Sequence, residues 1–106
     1  MACIACPGTK LITLEETRYA WSWPTKVSQA EINKVTTKLA SDLGVDIQIK
    51  YSEAKCCDEC NKSPSGLTAT AAPVGSPYRP WWSLWTASVQ EIKGTASVTV
   101  ICSPSS

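Results

Sequence analysis

Residues 27–51 read VSQAEINKVTTKLASDLGVDIQIKY, and the order of elements follows from this stretch. Ser28 can accept a hydrogen bond from the backbone amide of Glu31, Glu31 can reach back to Ser28, and Val27 and Ile32 stand where a hydrophobic staple clips the entering chain. Ile32, Val35, Leu39 and Leu43 then fall at i, i+3, i+7 and i+11 on one narrow apolar stripe. Gly44 is placed to end a helix in the left-handed conformation. The pattern predicts a helix over about 29–43, one edge of which packs on a sheet. Directly after it, Val45, Ile47, Ile49 and Tyr51 alternate with Asp46, Gln48 and Lys50, the period of a half-buried strand.

Upstream, Thr9 to Leu14 and Thr17 to Trp23 have strand character. Their apolar parity changes across Glu15-Glu16, from Ile12 and Leu14 to Tyr19 and Trp21, which calls for a bulge or turn between them. Pro24 stops the run. Downstream, residues 52–80 lose regular pattern and read as a long loop carrying three cysteines, of the kind that crosslinks hold in place. Trp81 to Ile92 and Thr95 to Cys102 read as two strands joined in a hairpin at Lys93-Gly94, with Cys102 on the buried side. The order β-β-α-β-loop-β-β predicts an α+β fold: a small single domain, 1–106, with a largely antiparallel sheet and one covering helix.

The chain has 106 residues, of which 43% are hydrophobic, and a net charge of +1. One domain of that size buries roughly two-thirds of the surface that its unfolded chain exposes. Near-neutrality without a Lys/Arg run argues against nucleic acid as a partner. The longest uncharged stretch, Ser63 to Tyr78, is rich in Pro, Gly, Ser, Thr and Ala, so no membrane span is expected. Thirteen Ser and eleven Thr give a hydroxyl-rich balance that leans towards extracellular or virion β-proteins. Met1 to Gly8 has neither the basic nor the apolar part of a signal peptide.

Chemistry rests on few residues. There is no His, which removes the commonest general base. Acid pairs occur only as sequence neighbours, at Glu15-Glu16 and Asp58-Glu59, and no nucleophile elbow or phosphate loop is present. No enzyme is expected. Six cysteines are clustered as Cys3-x-x-Cys6, Cys56-Cys57-x-x-Cys60 and Cys102. Cys3, Cys6, Cys57 and Cys60 have the paired spacing of a tetrahedral zinc site, although about 50 residues between the pairs is long for a compact ribbon. Disulfides are the favoured reading. Cys56 and Cys57 point different ways on an extended backbone and so reach different partners, and Cys102 is a natural third anchor. On that reading no cofactor is needed; zinc is the alternative.

Five Trp and no Phe fall in two clusters, Trp21-Ser22-Trp23 and Tyr78-Arg79-Pro80-Trp81-Trp82-Ser83-Leu84-Trp85. On a strand Trp81 and Trp82 cannot both face inward. Tyr78, Arg79, Trp81, Trp82 and Trp85 are therefore the candidate binding surface, suited to a protein partner or copies of the chain itself. A sugar ring is a further candidate ligand for an exposed Trp. The expectation is a disulfide-braced structural or binding protein, with an intracellular zinc module as the alternative.

Overall fold

The structure is a computed structural model. It describes residues 3–22, 27–78 and 88–104, with 76–78 as backbone only. Strand β1 (Gly8–Ser22) is followed by helix α1 (Gln29–Glu53), a 3₁₀ turn at Cys57–Glu59, β2 (Asn61–Tyr78) and β3 (Ser88–Ser103). The sheet order is β1-β3-β2, with β3 antiparallel to both neighbours, and α1 packs across one face of all three. This is the α+β arrangement of an antiparallel sheet with one covering helix.

The helix starts where the sequence places it. Ser28 lies at φ −76, ψ 154, and its side chain accepts from the Glu31 amide at 3.2 Å. Val27 and Ile32 are buried in the same cluster. The helix does not stop at Gly44, however, but runs on to Glu53, so the strand expected at 45–51 is helical. Both periods can be read on those residues, and the helical one extends a stripe already begun. Leu39, Leu43 and Ile47 are at most 2% exposed and Tyr51 half-buried, whereas Val45 and Ile49 face outward. Adding turns to a formed helix is cheap compared with nucleating a new element.

Three further expectations are corrected. The two N-terminal strands are one, because β1 stays in register with β3 from Gly8↔Cys102 to Ser22↔Ser88 with no bulge at Glu15-Glu16. The parity change is resolved by setting half-buried Ile12 and Leu14 and buried Ala20 on the helix side and turning Tyr19 and Trp21 to the other face. The loop expected at 52–80 contains β2, a small-residue strand whose Ala69 and Ala71 pack under the helix between exposed Thr68 and Thr70. Its Pro64 and Pro73 are tolerated because β2 is an edge strand. The hairpin at Lys93-Gly94 does not exist. Gly94 lies inside β3, opposite Glu16 on one side and Ala71 on the other. A Cβ there would stand 2.5 Å from Leu43 Cδ1 and 2.9 Å from Leu39 Cδ2, so this glycine lets the helix approach the sheet.

The core runs along the contact between α1 and β3. Leu39, Ile47, Ile92, Val98, Val100 and Cys102 are its fully buried side chains. Among the described residues, no helix is long and apolar enough to cross a membrane.

Candidate functional site

All six cysteines are in disulfides: Cys3–Cys57, Cys6–Cys60 and Cys56–Cys102. The first two join the N-terminal and central pairs as parallel rungs. Between them Ile4 donates to the Lys55 carbonyl at 2.8 Å, and the Cys57 amide donates to Ile4 O at 2.9 Å. Asp58 and Glu59 turn the chain between Cys57 and Cys60 with left-handed φ of 57 and 55. The adjacent Cys56 is bonded instead to Cys102, on the buried face of β3. The four residues with zinc-like spacing are thus brought together, but their sulfurs are used in cross-links. Among the described residues no three His, Cys, Asp or Glu side chains are grouped to hold a metal.

Lys62 completes this end of the molecule. Its ammonium donates to the carbonyls of Ala54 at 2.9 Å, Tyr51 at 3.0 Å and Ser52 at 3.3 Å, and lies 4.6 Å from the centre of the Tyr51 ring. A cation on the orphan carbonyls of a helix C-terminus is favourable both as a hydrogen-bond donor and against the helix dipole. A lysine nine residues past the helix end is no local cap signal, and only the pairing of Lys62 with Cys102 delivers it.

The opposite face of the sheet is bare among the described residues. The register sets Thr13, Ser97 and Thr68 in one row across the strands and Glu15, Thr95 and Thr70 in the next. Hydroxyls meet across these rows, Thr68 with Ser97 at 3.3 Å and Thr70 with Thr95 at 3.5 Å. Towards the far end the face turns apolar: Tyr19 is 51% exposed, Trp21 62% and Val74 45%, while Leu11 is 63% exposed at the near end. On the helix side of β1, Arg18 donates to Asp42 at 2.7 Å and lies 3.4 Å from Glu16. The hydrogen bond from Arg18 holds the Asp42 carboxyl below its ordinary range and raises the guanidinium in turn.

Of the expected surface, the structure describes the backbone of Tyr78, opposite Val89 at the apolar end of the sheet. Arg79, Trp81, Trp82 and Trp85 lie outside the described residues. Tyr19 and Trp21 join the exposed face instead, and the parity change at Glu15-Glu16 is the sequence signal that these aromatic side chains leave the core side.

The two sheet edges differ. β2 carries Pro64 and Pro73, and its register shifts between Ser65 and Thr68 and between Val74 and Tyr78, at Gly66 and Gly75, which have positive φ. The amide of buried Gln90 holds the second shift by donating to Val74 O at 3.1 Å and Gly75 O at 3.3 Å. β1 has no proline and no bulge. Comparison of the chain with known protein families, with characterised proteins and with solved structures finds no match.

Proposed function

We propose that the chain is a non-catalytic structural or binding protein that acts through the open face and edge of its sheet, with copies of itself as the first partner. One observation carries this reading: the molecule exposes much more surface than its mass requires. Its radius of gyration is 19.0 Å and its extents are 64 × 23 × 18 Å, whereas a compact domain of this length has a radius of about 13 Å. Its accessible surface is 6955 Å², about a fifth above the ~5,800 Å² of a compact monomer of equal mass. The excess is comparable to the roughly 800 Å² that one partner buries in a standard interface. Tyr19, Trp21 and Val74 make that surface apolar, and near-zero net charge lets copies approach.

The acidic residues support the absence of catalysis. Asp42 is held by Arg18 at 2.7 Å, Glu16 stands 3.4 Å from the same guanidinium and half-exposed, and Asp58 and Glu59 occupy an exposed turn. The test is light scattering and sedimentation of the full, oxidised chain over a wide concentration range, for the natural sequence and for Tyr19→Ser/Trp21→Ser. Concentration-dependent association that the double substitution weakens at least tenfold, with unchanged circular dichroism, is expected. A chain that stays monomeric to millimolar concentration and shows no change in Trp21 environment would refute self-association.

A further inference from the structure

We infer that the seam between copies is the outer edge of β1, which no described strand covers, paired antiparallel with β1 of a second chain about a two-fold axis at Thr13. This rests on the association proposed above and adds an edge contact to it: in this register Tyr19 and Trp21 fall opposite positions 7 and 5, beyond the second chain's β1, and act through the open face instead. A strand edge offers a row of unpaired amides and carbonyls, and proteins usually blunt such edges with prolines, bulges or short length. β2 has prolines and bulges; β1, 15 residues long, has neither.

The register comes from the side chains. A two-fold axis perpendicular to the sheet keeps both helices on one face and sets residue i opposite residue j of like parity, so each pair shares a face. Centred on Thr13, the helix side reads Lys10, Ile12, Leu14, Glu16 against Glu16, Leu14, Ile12, Lys10. Two ion pairs then flank two apolar pairs. Ile12 and Leu14 are only half-buried by the helix of their own chain, and a neighbouring strand would cover them. On the open face Thr9 meets Thr17, Leu11 meets Glu15, and Thr13 meets itself.

Neighbouring registers are worse. A centre at Leu14 sets Lys10 against Arg18, one at Glu15 sets that carboxylate against its own copy, and one at Ile12 leaves Lys10 facing Leu14. A centre at Thr17 pairs Glu16 with Arg18, but Arg18 is already held by Asp42 at 2.7 Å.

The surface beside the edge agrees. A cleft flanking β1 is lined by Lys10 to Thr13 together with Lys50, Glu53 and Lys55. Three lysines against one glutamate give it the charge to accept Glu16 of the incoming strand. The helices do not obstruct the pairing. Each is centred near β3, and β3 strands three spacings apart are about 14 Å from one another, more than the 8–10 Å at which helices touch.

The test is sedimentation velocity on the full chain with its disulfides intact. Lys10→Glu and Glu16→Lys should each weaken dimerisation at least tenfold, and Lys10→Glu/Glu16→Lys together should restore it to within about threefold. Since Glu16 also touches Arg18, a second measurement avoids that residue: Thr13→Cys, on the axis, should cross-link two chains on mild oxidation, and Thr9→Cys should not. A monomer at every concentration overturns the inference together with self-association. Dimers indifferent to both single charge reversals, or a double variant no better than the singles, overturn the inference alone and leave the sheet surface to associate elsewhere.

Discussion

Removing disulfides one at a time and in pairs should give costs that do not add. Cys3–Cys57 and Cys6–Cys60 each span 54 residues and Cys56–Cys102 spans 46. In the chain-entropy picture a bridge closing a loop of about 50 residues stabilises by about 4 kcal/mol. The first two bridges, however, close nearly the same loop. With one in place, the other encloses only 3–6 and 57–60, and a ring of roughly eight residues is worth about 2.5 kcal/mol. Cys6→Ala/Cys60→Ala and Cys3→Ala/Cys57→Ala should therefore each cost about 2.5 kcal/mol, and all four substitutions together about 6.5 kcal/mol. Cys56→Ala/Cys102→Ala should cost about 4 kcal/mol, plus the packing lost around Cys102, which is 1% exposed. Urea unfolding without reductant measures all four. If the two rungs prove additive, or if losing one costs as much as losing Cys56–Cys102, the shared-loop reasoning fails.

Four further outcomes follow from single contacts. Gly94→Ala should destabilise by about 1–3 kcal/mol in thermal unfolding, since its Cβ must displace Leu39 and Leu43; a neutral result would mean the helix stands further off. Lys62→Met should cost about 1–2 kcal/mol in urea, because three helix-end carbonyls lose a charged donor. Glu59→Gly should stabilise by about 1 kcal/mol in the same assay, relieving a left-handed φ of 55. Because Arg18 lowers the folded-state pKa of Asp42, that pair stabilises at pH above the ordinary Asp range and is lost as pH falls through the folded value. Asp42→Asn should therefore flatten the acid limb of the stability profile, as followed by circular dichroism between pH 6 and 2.

What could be read in advance was local. The Ser28 cap, the Val27–Ile32 staple and the stripe from Ile32 to Leu43 are signals between near neighbours, and they survive folding unchanged. The divergent partners of Cys56 and Cys57 follow from backbone geometry alone, although which of fifteen pairings is made does not. The misreadings came where two periods or two roles fit the same residues. Val45 to Tyr51 satisfies a helix and a strand, and the clamp that waits at Cys56 lies beyond the reach of local pattern. Gly94 has the chemistry of a turn, yet it is required by the leucines of α1, fifty residues away in sequence. Of its apolar residues β2 turns alanines towards the helix, with Leu67 and Val74 exposed, so its strand identity rests on β3, which supplies every one of its ladder partners.

The adjacency of Cys56 and Cys57 has a mechanical consequence. A pull applied outside Cys3 and Cys102 passes from Cys3 into Cys57, across a single peptide unit into Cys56, and out through Cys102. Every link on that route is covalent, so the load bypasses the hydrogen-bonded ladder and the helix. A chain of this length without bridges would extend by over 300 Å once its sheet gave way. Here that slack is locked behind two sulfur links, and drawn end to end the oxidised molecule is a nearly inextensible strut whose compliance appears only on reduction.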